Sequence, residues 1–126
     1  MALSQSEYIE VKRIKGKGRG VIARKAIPAD TVIERAPVLV IPTEQVEDDA
    51  HLCDYVYHWG RDTVALALGY GSLYNHSYKP NARYDDVGVM TKVFTAIRDI
   101  APGEEITINY NGEPENGGKL HFDVRD

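Results

Sequence analysis

The chain of 126 residues is the length of one domain, and its 43% hydrophobic and 27% charged residues are an ordinary balance for a soluble globular protein. Its 15 basic and 19 acidic residues leave a net charge of −4, which argues against direct nucleic-acid binding and mildly favours a basic peptide partner. Cys53 is the only cysteine, the opening residues have no export leader, and no apolar run approaches the roughly 20 residues of a membrane span; the expectation is an intracellular protein without disulfides or membrane contact.

Residues 8–14 alternate charged and apolar side chains, as a half-buried strand does. Gly16, Gly18 and Gly20 then break the pattern inside the basic cluster Lys12, Arg13, Lys15, Lys17 and Arg19, which predicts a bent or mobile loop. No helix pattern follows this G-x-G-x-G run, so it lacks the setting of a nucleotide phosphate site and by itself reads as a hairpin turn. Residues 20–24, 31–35 and 37–41 are short β-branched segments punctuated by Pro28, Pro37 and Pro42, as in a β-meander. Residues 44–51 suit a short polar helix or a loop, and residues 55–59 suit an aromatic strand or helix; periodicity does not separate the two. His51, Cys53 and His58 make a mixed set of undefined geometry, so no metal is expected. Residues 64–68 are apolar, residues 83–86 and 89–96 alternate as strands, and Pro102-Gly103 turns the chain before residues 105–110. The polar, glycine-rich residues 111–126 read as a lid or a loosely held end. The composite is a mostly β domain with little helix, which excludes the alternating βαβ rhythm.

Chemistry is densest over residues 69–81, which hold two amides, an imidazole and three phenols together with two glycines and Pro80. Asn75-His76-Ser77 alone serves equally as a capped turn whose polar groups satisfy local backbone. Three separated pieces nevertheless fall in order: the G-x-G loop followed by Val21-Ile22-Ala23, then Asn75-His76-Ser77-x-x-Pro80-Asn81, then Gly103-Glu104-Glu105-Ile106-Thr107-Ile108-Asn109-Tyr110. Together they resemble the SET-domain protein lysine methyltransferases, over residues 8–110 of a single domain spanning 1–126.

The resemblance implies a β-clip fold of several small sheets in which the C-terminal segment threads under a preceding loop in a knot-like crossing. It also implies S-adenosylmethionine as methyl donor, with Lys17, Gly18, Arg19 and Gly20 in the loop beside its methionine part and Asn75 and His76 as further cofactor contacts. Tyr110 matches the family's catalytic tyrosine, and Tyr55, Tyr70 and Phe94 are candidate walls of a lysine channel. The implied partner is a protein carrying a lysine, with a histone or another basic tail as candidate, and the implied location is cytoplasmic, or nuclear and chromatin-associated in a eukaryotic host.

The chain departs from many relatives in lacking a cysteine-rich zinc segment after the tyrosine motif; Tyr78 stands where a cysteine often follows N-H-S. Residues 111–126 must then close the channel, with Leu120, His121 and Phe122 as candidate lid groups, unless a partner subunit of a homodimer does so. The compact plan looks like that of the small viral or bacterial members. A rival expectation is a non-catalytic interaction module that keeps the fold and the cofactor but does not turn over.

Overall fold

The computed structural model describes residues 6–46 and 51–120. Strands β1 (Ile9–Ile14) and β2 (Gly18–Ala23) form an antiparallel hairpin running from Ile9 opposite Ala23 to Ile14 opposite Gly18. The predicted loop is shorter than its glycines suggest. Gly16 has φ 82°, a left-handed conformation that closes the turn, while Gly18 and Gly20 already belong to β2.

Strand β3 (Val32–Pro42) joins the segments that the sequence separates at Pro37. The proline is tolerated because β3 changes partners there: residues up to Pro37 pair with a later strand, and residues from Val38 onward pair with another on the opposite side. The Pro37 carbonyl still accepts the Leu68 N–H at 2.8 Å. The 3-10 turn Thr43–Gln45 opens the segment 44–51 expected as a short polar helix or a loop, of which residues 47–50 lie outside the described residues, and a second 3-10 turn follows at His51–Tyr55.

Strands β4 (Val56–His58), β5 (Thr63–Ala67), β6 (Asn75–His76), β7 (Ala82–Val87), β8 (Thr91–Ala96) and β9 (Thr107–Ile108) follow. The largest sheet is antiparallel in the order β4-β5-β3-β8-β7, and β6 and β9 make a separate parallel pair with Asn75 opposite Thr107 and His76 opposite Ile108. This is the mostly β architecture of several small sheets that the sequence predicts.

Ile9, Val21, Ile27, Ile33, Phe94, Ile100, Ile106 and Ile108 meet in one buried cluster that joins the three sheets. Each contributes about 1.5–3 kcal/mol by leaving water. The C-terminal segment is stitched to β2 by Ile106 N–H to the Val21 carbonyl at 2.8 Å and Ala23 N–H to the Glu104 carbonyl at 2.9 Å. Asn81, fully buried, binds the same segment at two points: its Nδ2 donates to the Glu105 carbonyl at 2.7 Å, and its Oδ1 accepts the Thr107 N–H at 2.8 Å.

The described part of the tail is not loosely held. Asn109 Nδ2 donates to the Pro114 and Asn116 carbonyls at 3.2 and 2.6 Å, and the Tyr78 hydroxyl donates to the Gly118 carbonyl at 2.8 Å. His121 and Phe122 lie outside the described residues.

Candidate active site

Two cavities meet at Tyr110. The first, a cleft of about 710 Å³, runs along the β1–β2 hairpin and is lined by Lys17, Gly18, Arg19, Asn75 and Tyr110 among others. The second, of about 420 Å³, is walled by Tyr55, Tyr57, Tyr84 and Lys92, with Leu120 at its edge. Asp54, Tyr55, Ser72, Tyr74 and Tyr110 line both. Residues distant in sequence converge here because the parallel β6–β9 pair lays Tyr110, just beyond β9, beside the Asn75-His76 corner.

Hydrogen bonds fix Tyr110 at both ends. Its backbone N–H donates to His76 Nδ1 at 2.9 Å, and its hydroxyl donates to the Tyr74 carbonyl. Burial, reinforced by the Glu105 charge, pushes the Tyr110 phenol well above its ordinary range. The phenol is therefore neutral at physiological pH, and its oxygen retains lone pairs that can accept from a further donor.

Asn75 is held just as firmly. Its Nδ2 donates to the Arg19 carbonyl at 2.9 Å and to Glu105 Oε2 at 2.7 Å, while the other oxygen of Glu105 takes the Lys17 ammonium at 2.7 Å. The Lys17 and Glu105 side chains are only 14% and 17% exposed, so water and salt screen the pair less than a surface bridge. Glu105 thus ties the hairpin loop to the Asn75 corner.

The sequence-predicted residues do not all reach the cavities. Lys17, Gly18, Arg19 and Asn75 line the cleft, and Tyr55 and Tyr110 line both cavities. Gly20 instead packs behind the cleft: a Cβ there would lie 2.5 Å from Ile14 Cδ1, 2.6 Å from Glu105 Oε2 and 2.7 Å from Asn75 Nδ2. A glycine there allows this close packing.

The buried His76 ring is not among the cleft's lining groups; it positions the Tyr110 backbone. Phe94, 0% exposed, stacks on Tyr74 at 4.4 Å between ring centroids and backs the channel instead of lining it. Tyr70 lines neither cavity, and its N–H donates to Glu34 at 2.9 Å. The edge position of Phe94 is taken by Tyr84, whose register partner it is.

Tyr84, Lys92, Glu105 and Glu34 were not singled out from sequence. A signal existed for the first two. Period-2 alternation across the β7–β8 hairpin places Tyr84 and Asp86 on one face with Lys92 and Phe94, since Asp86 pairs with Lys92 and Tyr84 with Phe94. Among the described residues no group of three or more His, Cys, Asp or Glu could hold a metal ion.

The SET domain model matches residues 18–111. A Schizosaccharomyces pombe protein, a histone-lysine N-methyltransferase specific for H3 lysine-37, is 37% identical over 107 residues, which covers 81% of this chain and 72% of that protein. The Halocynthia roretzi histone-lysine N-methyltransferase SETD7 is 27% identical over 135 aligned positions, covering 92% of this chain but 34% of that longer protein. A crystal structure of a Plasmodium falciparum candidate histone methyltransferase superposes with a TM-score of 0.72 at 30% identity, covering 86% of this chain and 95% of that one. The chain belongs to the SET-domain family of protein lysine methyltransferases.

Proposed function

We propose that the protein moves a methyl group from S-adenosylmethionine to a lysine side chain of a basic protein segment, a histone tail being the leading candidate and chromatin the corresponding location. The observation that carries this reading is the position of Tyr110 in the wall common to the two cavities. One cavity suits the methyl donor and the other the lysine, so the transfer point falls beside the phenol.

The first cleft fits the donor on several counts. Its volume of about 710 Å³ lies within the usual range of roughly 300–1,000 Å³ for cofactor sites. Gly18, with φ 82° and nothing within 4 Å of where a Cβ would sit, leaves room for close approach to the backbone. Lys12, Arg13, Lys15 and Arg19 on the cleft wall supply positive charge for a carboxylate. When bound, S-adenosylmethionine supplies a methyl group on a positively charged sulfur.

The chain's own residues do the rest. A lysine amine has a pKa of about 10.4 in water and must be neutral to attack. The walls of Tyr55, Tyr57 and Tyr84 remove water from it, which disfavours the ammonium. Tyr110 is too weak an acid to be ionised and serve as a base near neutrality. Its hydroxyl, committed as donor to the Tyr74 carbonyl, presents lone pairs that orient the amine's N–H groups. Alignment and desolvation, not proton abstraction by the phenol, lower the barrier.

Incubation with methyl-labelled S-adenosylmethionine and histones tests the reading. Wild type transfers label, and Tyr110→Phe lowers kcat by about 10²-fold or more through lost alignment. The wild-type rate climbs from neutral pH to about pH 9 as the substrate amine deprotonates. Cofactor binding by calorimetry without label transfer would favour the non-catalytic module instead.

A further inference from the structure

The second cavity holds a cation that the reaction as described does not require. The Lys92 side chain on β8 is 1% exposed, and its ammonium donates to Asp86 Oδ1 at 2.6 Å. The same nitrogen lies 4.1 Å from the centroid of the Tyr57 ring, 4.3 Å from that of Tyr84 and 5.5 Å from that of Trp59. Three aromatic rings and a carboxylate around one ammonium form the kind of box that holds lysine or methyl-lysine ligands. Here a side chain of the protein itself fills it. The box abuts the transfer point, because the Tyr84 hydroxyl donates to the Tyr110 carbonyl at 3.4 Å.

Folding alone does not account for this lysine. A methionine of similar length would bury as much apolar surface without desolvating an ammonium, and buried ion pairs rarely outperform apolar replacements. The surrounding charge is mixed. Strand β7 presents Asp85, Asp86 and Tyr84; β4 presents Tyr57 and His58; Asp54, Tyr55 and Tyr110 complete the cavity wall; and β3 places Ala36 opposite Lys92. Burial draws Lys92 below the ordinary lysine range, and the Asp86 hydrogen bond followed by the Asp86 and Asp85 charges opposes that loss.

Taking the methyltransferase reading as its basis, we propose that Lys92 is a specificity-determining residue that limits the reaction to a first methyl group. Its fixed charge in the channel wall disfavours a second cation nearby, so the substrate amine enters neutral and reacts once. The amine's lone pair forms the new C–N bond as the C–S bond breaks, so the sulfur leaves neutral and the product is a methylammonium cation from the moment of transfer. The aromatic faces that would retain it are already taken by Lys92, so the product leaves instead of being deprotonated again in place. Without Lys92's charge, those faces would accept a methylammonium, and further rounds would follow.

The test is the product distribution on a basic peptide with a single lysine, read by mass spectrometry under excess S-adenosylmethionine. Wild type and Lys92→Arg give mainly monomethyl peptide. Lys92→Met raises the dimethyl and trimethyl fraction roughly tenfold and moves the rising limb of the rate–pH profile up by about one unit, because the substrate amine no longer feels the neighbouring charge. Lys92→Gln, which removes the charge but keeps a hydrogen-bond donor for Asp86, moves both readouts in the same direction and covers the case of an unfolded Lys92→Met. A wild type that makes mainly trimethyl peptide, or folded variants with wild-type distribution and pH profile, would overturn the proposal. So would a methyl group found on Lys92 itself, since the residue would then be substrate and not wall. Absence of any transfer by wild type would overturn the methyltransferase reading beneath it.

Discussion

At the scale of single residues, the site owes much to groups that never touch the cavities. Glu34 is nearly buried and accepts the Tyr74 hydroxyl at 2.7 Å and the Tyr70 N–H at 2.9 Å, which sets the backbone from which Tyr74 offers its carbonyl to Tyr110. Burial raises the Glu34 carboxyl above its ordinary value of 4.5, against the two hydrogen bonds, which lower it. A carboxyl with a raised folded-state pKa binds its proton more tightly when folded, so its contribution to stability is full below the unfolded value and is lost as pH rises through the folded one. Urea unfolding at a series of pH values should therefore show wild type losing stability relative to Glu34→Gln from about pH 4.5 upward. Parallel curves for the two proteins would mean that Glu34 titrates as an ordinary exposed carboxyl. Nothing in the sequence marks Glu34, because the strand pattern around it reads as an outward-facing position until Tyr74 and Gly69 are known to pack over it.

At the scale of elements, two-residue strands do the work of assembly. β6 and β9 make few ladder bonds of their own, and Asn81 supplies what they lack by clamping residues 105 and 107. Asn81→Ala leaves the buried Thr107 N–H without its acceptor and the Glu105 carbonyl without its donor, at a cost of about 1–3 kcal/mol for each group so stranded. The expected result is a lower urea midpoint, together with weaker cofactor binding by calorimetry because the Glu105 side chain that holds Asn75 and Lys17 loses its anchor. A variant with wild-type stability would show that burial of Ile106 and Ile108 suffices to hold this segment. The motif N-H-S-x-x-P-N was legible as a unit, but its division of labour was not. Asn75 faces the cleft, His76 supports the Tyr110 backbone and Asn81 pins the C-terminal segment. Spacing in sequence cannot assign those roles, because they depend on a parallel strand pair whose halves lie 32 residues apart in register, Asn75 with Thr107. The strand alternation of residues 89–96 was legible for the opposite reason, since β8 alternates half-buried and buried side chains that local periodicity reports.

At the scale of the whole molecule, the net charge of −4 conceals a division between the two cavities. The cleft wall carries Lys12, Arg13, Lys15 and Arg19, with Lys17 bound to Glu105, against the one carboxylate Asp54 that lines both cavities, whereas in the channel wall Asp86 is bound to Lys92 and Asp54 is left as the excess charge. Beside the channel, Arg83 is engaged by Asp85 at 3.1 Å and Glu113 at 3.9 Å, so its charge is met by two carboxylates. A peptide approaching the channel thus meets a negative field, and one approaching the cleft meets a positive one, which steers a lysine flanked by basic residues toward the side opposite the donor. Exposed charges act over a Debye length of about 10 Å at 0.1 M salt and about 3 Å at 1 M, so this steering must weaken as salt rises. The KM for a basic peptide is expected to rise several-fold between about 0.02 and 0.3 M salt with kcat little changed, because Tyr110 is partly buried and acts as a neutral phenol that salt does not screen. A peptide with acidic residues flanking the lysine should show the reverse trend from a higher starting KM. Equal salt dependence for the two peptides would mean that the channel mouth recognises shape alone, and that the acidic wall serves only to hold Lys92 in place.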